Sequence, residues 1–114
     1  MISSLKGSKK IEVLFQEGFS IKKEGLLLKG YMFNDGKITF GVSVPKKNFK
    51  SAVKRNLLKR RIREAVRNSN NLSLVPFGFS FFVVYNFKNV LESKEIRMRI
   101  DSLLLVLTKK LIKI

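Results

Sequence analysis

The chain has 114 residues, with 24 Lys and Arg against 8 Asp and Glu, for a formal net charge of +16. A hydrophobic fraction of 45% argues against wholesale disorder and supports one modest core, while self-repulsion at that charge calls for a polyanionic partner: nucleic acid first, an acidic membrane surface second. Cysteine and histidine are both absent, which excludes disulfides, thiolate metal sites, Cys nucleophiles and an imidazole base.

Residues 1–8 read as a flexible basic leader to a single domain spanning 1–114. Lys6, Lys9 and Lys10 precede no apolar run of signal-peptide length, and no segment approaches the ~20 apolar residues of a membrane span, so a cytoplasmic location is expected. Residues 9–18 predict a short helix, with Ile11, Leu14 and Phe15 on one face and Gly18 as its C-terminal cap. A short strand over 18–24 and two more over 25–33 and 37–44 follow. Asn34-Asp35-Gly36 between the last two is a strong hairpin signal.

In the strand over 25–33, Leu27, Lys29, Tyr31 and Phe33 share a face. In the strand over 37–44, Ile38, Phe40, Val42 and Val44 point one way and Lys37, Thr39, Gly41 and Ser43 the other. That second face is small and polar, so another element or a ligand can come close to it. Pro45 ends the strand because it cannot donate to a ladder, and residues 46–51 form a basic loop.

A helix to about Arg67 comes next. At steps of three and four, Asn56, Lys59, Arg60, Arg63 and Arg67 fall on one face, and Leu57, Leu58, Ile62, Ala65 and Val66 on the other. Five of the seven arginines of the chain lie in this one helix. Arg forks match phosphate oxygens in pairs, which a Lys point charge does not do, so the ridge is read as a polyanion contact rather than a solvated surface. Arg61 lies towards the apolar side, where its stem is expected to snorkel, and Glu64 is expected to pair with a neighbouring cation.

Asn68-Ser69-Asn70-Asn71 is a polar stop. After Pro76, residues 77–86 form the most apolar strand, expected to be central in its sheet. Residues 93–113 form a last amphipathic helix, with Ile96, Ile100, Leu103, Leu104, Leu107 and Leu111 at helical spacing. This stripe suits a core better than a membrane surface, because the sheet needs a cover. The order αβββαβα gives an α+β two-layer sandwich on a four-stranded sheet.

The eight carboxylates are dispersed, with no pair spaced for acid/base or two-metal work, and Ser and Thr have no His to activate them. No catalytic residue and no protein metal site is therefore expected. Most of the ten Phe belong to the core. Phe15 and Tyr31 are the exceptions: an aromatic beside a basic groove is how single-stranded nucleic acid is held.

Phe40-Gly41-Val42-Ser43-Val44-Pro45-Lys46-Lys47, followed by Ala52 to Glu64 with Arg55-Asn56 and Lys59-Arg60 at their spacing to Arg63, resembles the signature of the bacterial ribonuclease P protein component. The resemblance runs through the chain in length and element order, and residues 40–64 carry its specificity. It implies a left-handed βαβ crossover, against the usual hand. It also implies that catalysis belongs to a partner RNA, which with magnesium removes the 5′ leader of precursor tRNA in a 1:1 protein–RNA holoenzyme. The positions that match the family's RNA-subunit contacts are Lys46, Lys47, Arg55, Asn56, Lys59, Arg60 and Arg63, with Arg67 extending the ridge. The leader-binding positions are Ile11, Phe15, Lys29 and Tyr31. Of these Phe15 matches, Ile11 and Lys29 stand where the family often has aromatics, and Tyr31 is a substitute on the same face. Arg61 stands where the family is usually apolar. A non-catalytic RNA-binding module, such as a ribosomal protein, and a cationic membrane-surface protein are the competing readings.

Overall fold

The computed structural model describes residues 2–5, 7–23 and 25–112. Its elements are strand β1 (Ile2–Ser4), helix α1 (Ser8–Glu17), strands β2 (Phe19–Lys23), β3 (Leu26–Met32) and β4 (Ile38–Ser43), helix α2 (Ala52–Asn68), strand β5 (Phe79–Tyr85) and helix α3 (Ser93–Ile112). A short 3-10 helix over Asn70–Leu74 follows α2. The α+β architecture and the αβββαβα order of the main elements are as the sequence implies. The sheet has five strands rather than four, in the order β1-β4-β5-β3-β2.

The added strand comes from the expected leader. Ile2–Ser4 pairs parallel to β4, the Leu5 N–H donates to the Phe40 carbonyl at 2.9 Å, and Leu5 is buried. The leader thus satisfies backbone groups that β4 would otherwise leave open at a sheet edge. Of the segment 1–8, Met1 and Lys6 lie outside the described residues, as do Lys113 and Ile114 at the end of the last predicted helix.

The turn at Asn34-Asp35-Gly36 does not close a hairpin. Asn34 and Gly36 do take positive φ, 58° and 75°, as that sequence favours. But β3 and β4 are both paired to β5, β3 antiparallel and β4 parallel. The residue just before β5 enters the mouth of the turn: the N–H groups of Phe33 and Asn34 donate to the Gly78 carbonyl, and the Gly78 N–H donates to the Lys37 carbonyl. The physical reason is apolarity. Phe79, Phe81, Val83 and Tyr85 are all fully buried, and a strand that greasy gains most from the centre of the sheet. β5 reaches that centre through α2, so β4-α2-β5 is a parallel crossover unit.

One face of the sheet carries the main core. Leu28 from β3, Phe40 and Val42 from β4, and Phe79, Phe81 and Val83 from β5 pack against Leu58, Ile62 and Val66 of α2 and Ile96, Ile100, Leu103, Leu104 and Leu107 of α3. The apolar stripe of α3 is thereby buried in the core. Arg61 sits at the edge of this layer and donates from Nη1 to the Leu91 carbonyl at 2.7 Å. The expected snorkel is thus also a tie between α2 and the loop before α3. Tyr85 holds the same loop: its hydroxyl donates to the Asn89 carbonyl and accepts from the Leu91 N–H.

The opposite face is covered in part by α1, seated by the fully buried Leu14. Gly18 ends α1 with φ −73°, so it is not a left-handed cap. Its role is close approach: a Cβ there would stand 2.3 Å from the Leu14 carbonyl oxygen and 2.6 Å from that of Gly30. The start of α1 is tied to the split turn, with Lys10 Nζ 2.7 Å from Asp35 Oδ2 and 4.8 Å from the Phe33 ring centroid. The bond from Lys10, then that from the Lys37 N–H, hold the Asp35 carboxyl below its ordinary range. A lowered folded pKa means that the tie contributes at neutral pH and is lost as pH falls through the carboxylate range. Acidification below about pH 4 should therefore cost the wild-type protein more stability than Asp35→Asn in denaturant titrations. Equal acid sensitivity would mean that the tie contributes nothing.

Candidate nucleic-acid interface

α2 is built to present its charge. The Ser51 hydroxyl accepts from the Lys54 N–H and caps the helix. Leu58, Ile62, Ala65 and Val66 are buried, which fixes the rotation of the helix and turns the other side out. Asn56, Arg60, Arg63 and Arg67 are exposed, and Lys59 is half-buried among them. The two ion pairs among the described residues are Lys10–Asp35 and Arg99–Glu95, and neither touches the ridge. Glu64 is exposed and makes no ion pair with a described residue, contrary to expectation. The cations of the ridge are therefore not neutralised by ion pairs within the described residues.

Lys46 and Lys47 project from the turn that joins β4 to α2. The turn is closed by N–H bonds from Asn48 and Phe49 to the Pro45 carbonyl, and it is pinned by Phe49, which is 5% exposed and packs on Tyr85. Arg55 faces back towards it. Its Nη1 donates to the carbonyls of Phe49 and Lys50 at 2.7 and 3.0 Å. Among the ridge residues Arg55 therefore has a defined internal task, holding the Lys46-Lys47 turn against α2. Its half-buried side chain offers less to a ligand than Arg60 or Arg63.

The second candidate surface lies on the other side of the sheet. Phe15 is 37% exposed, and its ring centroid is 5.3 Å from that of Phe82. Lys29 lies beside Phe82 in register, and its Nζ donates to the Phe15 carbonyl at 3.4 Å, a cation at the C-terminal end of α1. Phe15 and Lys29 are thus brought together. Ile11 is half-buried one turn earlier on α1. Tyr31 stands at the rim: it packs edge-on to Phe33 at 4.8 Å and walls a hollow of about 590 Å³ with Gly18, Phe19 and Leu111.

Phe82 is the site residue that sequence reasoning passed over. It was legible as the aromatic facing away from the Phe79–Phe81–Val83 side of its strand. Its significance depended on knowing its neighbour. Gly41 pairs with Phe82, and a Cβ on Gly41 would meet the ring at 2.4 Å. The small face of β4 therefore receives the ring of the adjacent strand. Beyond it, Thr39 and Ser80 are buried and share a hydrogen bond of 2.6 Å.

A cationic ridge over the core layer and an aromatic groove on the far side of the sheet are thus combined in one small fold. A family model described as Ribonuclease P matches residues 2–108. The chain belongs to the ribonuclease P protein family. No curated protein sequence matches it. Among solved structures, it is similar to the ribonuclease P protein of Staphylococcus aureus, at 20% identity over 90% of this chain and 93% of that one, with a TM-score of 0.76. It is also similar to the ribonuclease P protein of Thermotoga maritima, at 25% identity over 89% of this chain and 94% of that one, with a TM-score of 0.74.

Membership in the ribonuclease P protein family implies association with a ribonuclease P RNA and a part in tRNA processing. Among the described residues, no three His, Cys, Asp or Glu gather where they could hold a metal ion, and no helix is long and apolar enough to cross a membrane.

Proposed function

We propose that this ribonuclease P protein docks a catalytic RNA along α2 and holds the 5′ leader of precursor tRNA across the opposite face of its sheet. The observation that carries the reading is the separation of the two surfaces. Arg60, Arg63 and Arg67 stand in water on the side of the core layer, while Phe15, Phe82 and Lys29 cluster on the far face. Lys46, Lys47, Asn56 and Lys59 complete the docking surface, with Arg55 holding the turn. Guanidinium forks along one helix face suit the phosphates of a folded RNA. Aromatic rings beside an ammonium suit an unpaired strand, whose bases stack while its backbone is neutralised.

Removal of the leader is then endonucleolytic hydrolysis of a phosphodiester by the RNA. Magnesium would be held mainly by that RNA, and when bound it would supply Lewis-acid chemistry at the phosphodiester. Among the described residues, no three carboxylates gather around a point where they could hold such an ion between them. The protein's contribution is binding and orientation, in a 1:1 complex in the cytoplasm.

The groove has a direct test. Phe15→Ala should weaken precursor tRNA binding to the holoenzyme by about 1–3 kcal/mol, the value of one base–aromatic stack. Mature tRNA, which has no leader, should bind as before. Equal losses for both substrates in a filter-binding titration would make Phe15 a packing residue only.

A further inference from the structure

Two large apolar side chains stand in water just beyond the C-terminal end of the ridge. Phe77 is 67% exposed and Leu74 is 59% exposed. Phe77 lines a cleft of about 450 Å³ together with Arg67, Ile38, Ser73 and Val75. Ile38 and Val75 are buried and give the cleft an apolar floor. Arg67, the last cation of the ridge, is exposed on its wall, with its guanidinium 5.9 Å from the Phe40 ring centroid. The Ser73 hydroxyl donates to the Asn70 carbonyl at 2.9 Å, which leaves its oxygen able to accept a hydrogen bond. The carboxylate of Asp101 beside the cleft is engaged by the Ser69 hydroxyl.

A single exposed Phe needs no special cause. Here the ring shares a cleft with a guanidinium that continues a cationic surface. An apolar protein partner would meet that charge at a desolvation cost, whereas a nucleotide brings both a π-face for the ring and a phosphate for the arginine.

We infer that this cleft receives one unpaired nucleotide of the RNA docked along α2, its base stacked on Phe77 and its phosphate against Arg67. The inference rests on the reading of the ridge as an RNA-docking face and extends that face beyond the helix. Arg67 lies 16 residues past the Ser51 cap, so the cleft is roughly 24 Å from the N-terminal end of α2. It sits where β4 and β5 begin, at the other end of β4 from Lys46 and Lys47. The docked RNA therefore spans the whole length of the helix and presents an unstacked base at its far end.

The test is equilibrium binding of the full-length protein to an in vitro transcript of the ribonuclease P RNA from the same genome, over a range of salt. Phe77→Ala removes an exposed side chain and so leaves the core intact. It should weaken binding about fivefold or more at every salt concentration, with the salt slope unchanged. Phe77→Tyr, which keeps the stacking face, should bind as the wild type does. Arg67→Ala should make the slope shallower by about one unit. If Phe77→Ala binds normally while Arg60→Ala weakens binding, the cleft is not a nucleotide site and the ridge reading stands. If neither variant weakens binding, the ridge reading itself fails and takes this inference with it. A dimer in sedimentation that Phe77→Ala dissociates would assign the cleft to a second copy of the chain and overturn the inference.

Discussion

Replacing Arg60 and Arg63 together by alanine should weaken binding to ribonuclease P RNA about a hundredfold at low salt. Each guanidinium is exposed, and neither makes an ion pair with a described residue. Nothing within the fold therefore competes for them, and nothing is left unsatisfied when they go. A charge-assisted hydrogen bond contributes about 1.5 kcal/mol or more, so two such losses amount to roughly two powers of ten. The salt slope should also fall by about two units, one for each phosphate contact. Stability should hardly change, because alanine is the best helix former and both sites are on the surface. An affinity loss with an unchanged slope would mean that these residues do not meet phosphates. The exposed Glu64, which has no ion-pair partner among the described residues, provides the converse: it is the one acidic group that a docked RNA has to tolerate on the helix.

Leu14→Ala should have the largest effect on stability of any substitution in α1. Leu14 is fully buried, yet it lies outside the main core cluster, on the face of the sheet that α1 covers. α1 has only 10 residues, too few to persist as a helix without its packing. Removing the anchor should cost about 2–5 kcal/mol, as other buried Leu-to-Ala changes do. For a domain of this size that is a fall in Tm of roughly 10 °C or more. Phe15→Ala, at a partly exposed position on the same helix, should cost much less. Because α1 supplies Phe15 to the groove, Leu14→Ala should also remove the preference for precursor over mature tRNA. Docking of the RNA on α2 should survive at temperatures where the variant is folded. A near-native Tm would show that Leu14 is not what seats α1.

The division of α2 into a charged and an apolar side was legible in the sequence because it is local. Helical spacing alone sorts Arg60, Arg63 and Arg67 from Leu58, Ile62 and Val66, and the fold keeps that division. What was not legible depended on pairing between distant segments. Asn34-Asp35-Gly36 has the chemistry of a hairpin turn, and its backbone does turn, but the apolarity of β5 decides which strands pair. Ile2–Ser4 carries too short a pattern to announce a strand, and it becomes one because β4 offers an open edge. Arg55 reads as one more cation on the ridge until the carbonyls of Phe49 and Lys50 are seen in front of it. Phe82 acquires its place in the groove only when β5 lies next to Gly41. Gly18 is the cap of α1 that the sequence predicts, but what its lack of a side chain serves is the close approach of α1 to β3.

The most direct measurement is cleavage of a precursor tRNA by the ribonuclease P RNA of the same genome, at a magnesium concentration too low for the RNA alone, with and without the protein. The wild-type protein should restore removal of the 5′ leader. The Arg60→Ala/Arg63→Ala variant should restore it only at much higher protein concentration. Cleavage that remains absent when saturating wild-type protein is added would contradict a role for this chain as the docking and leader-holding subunit.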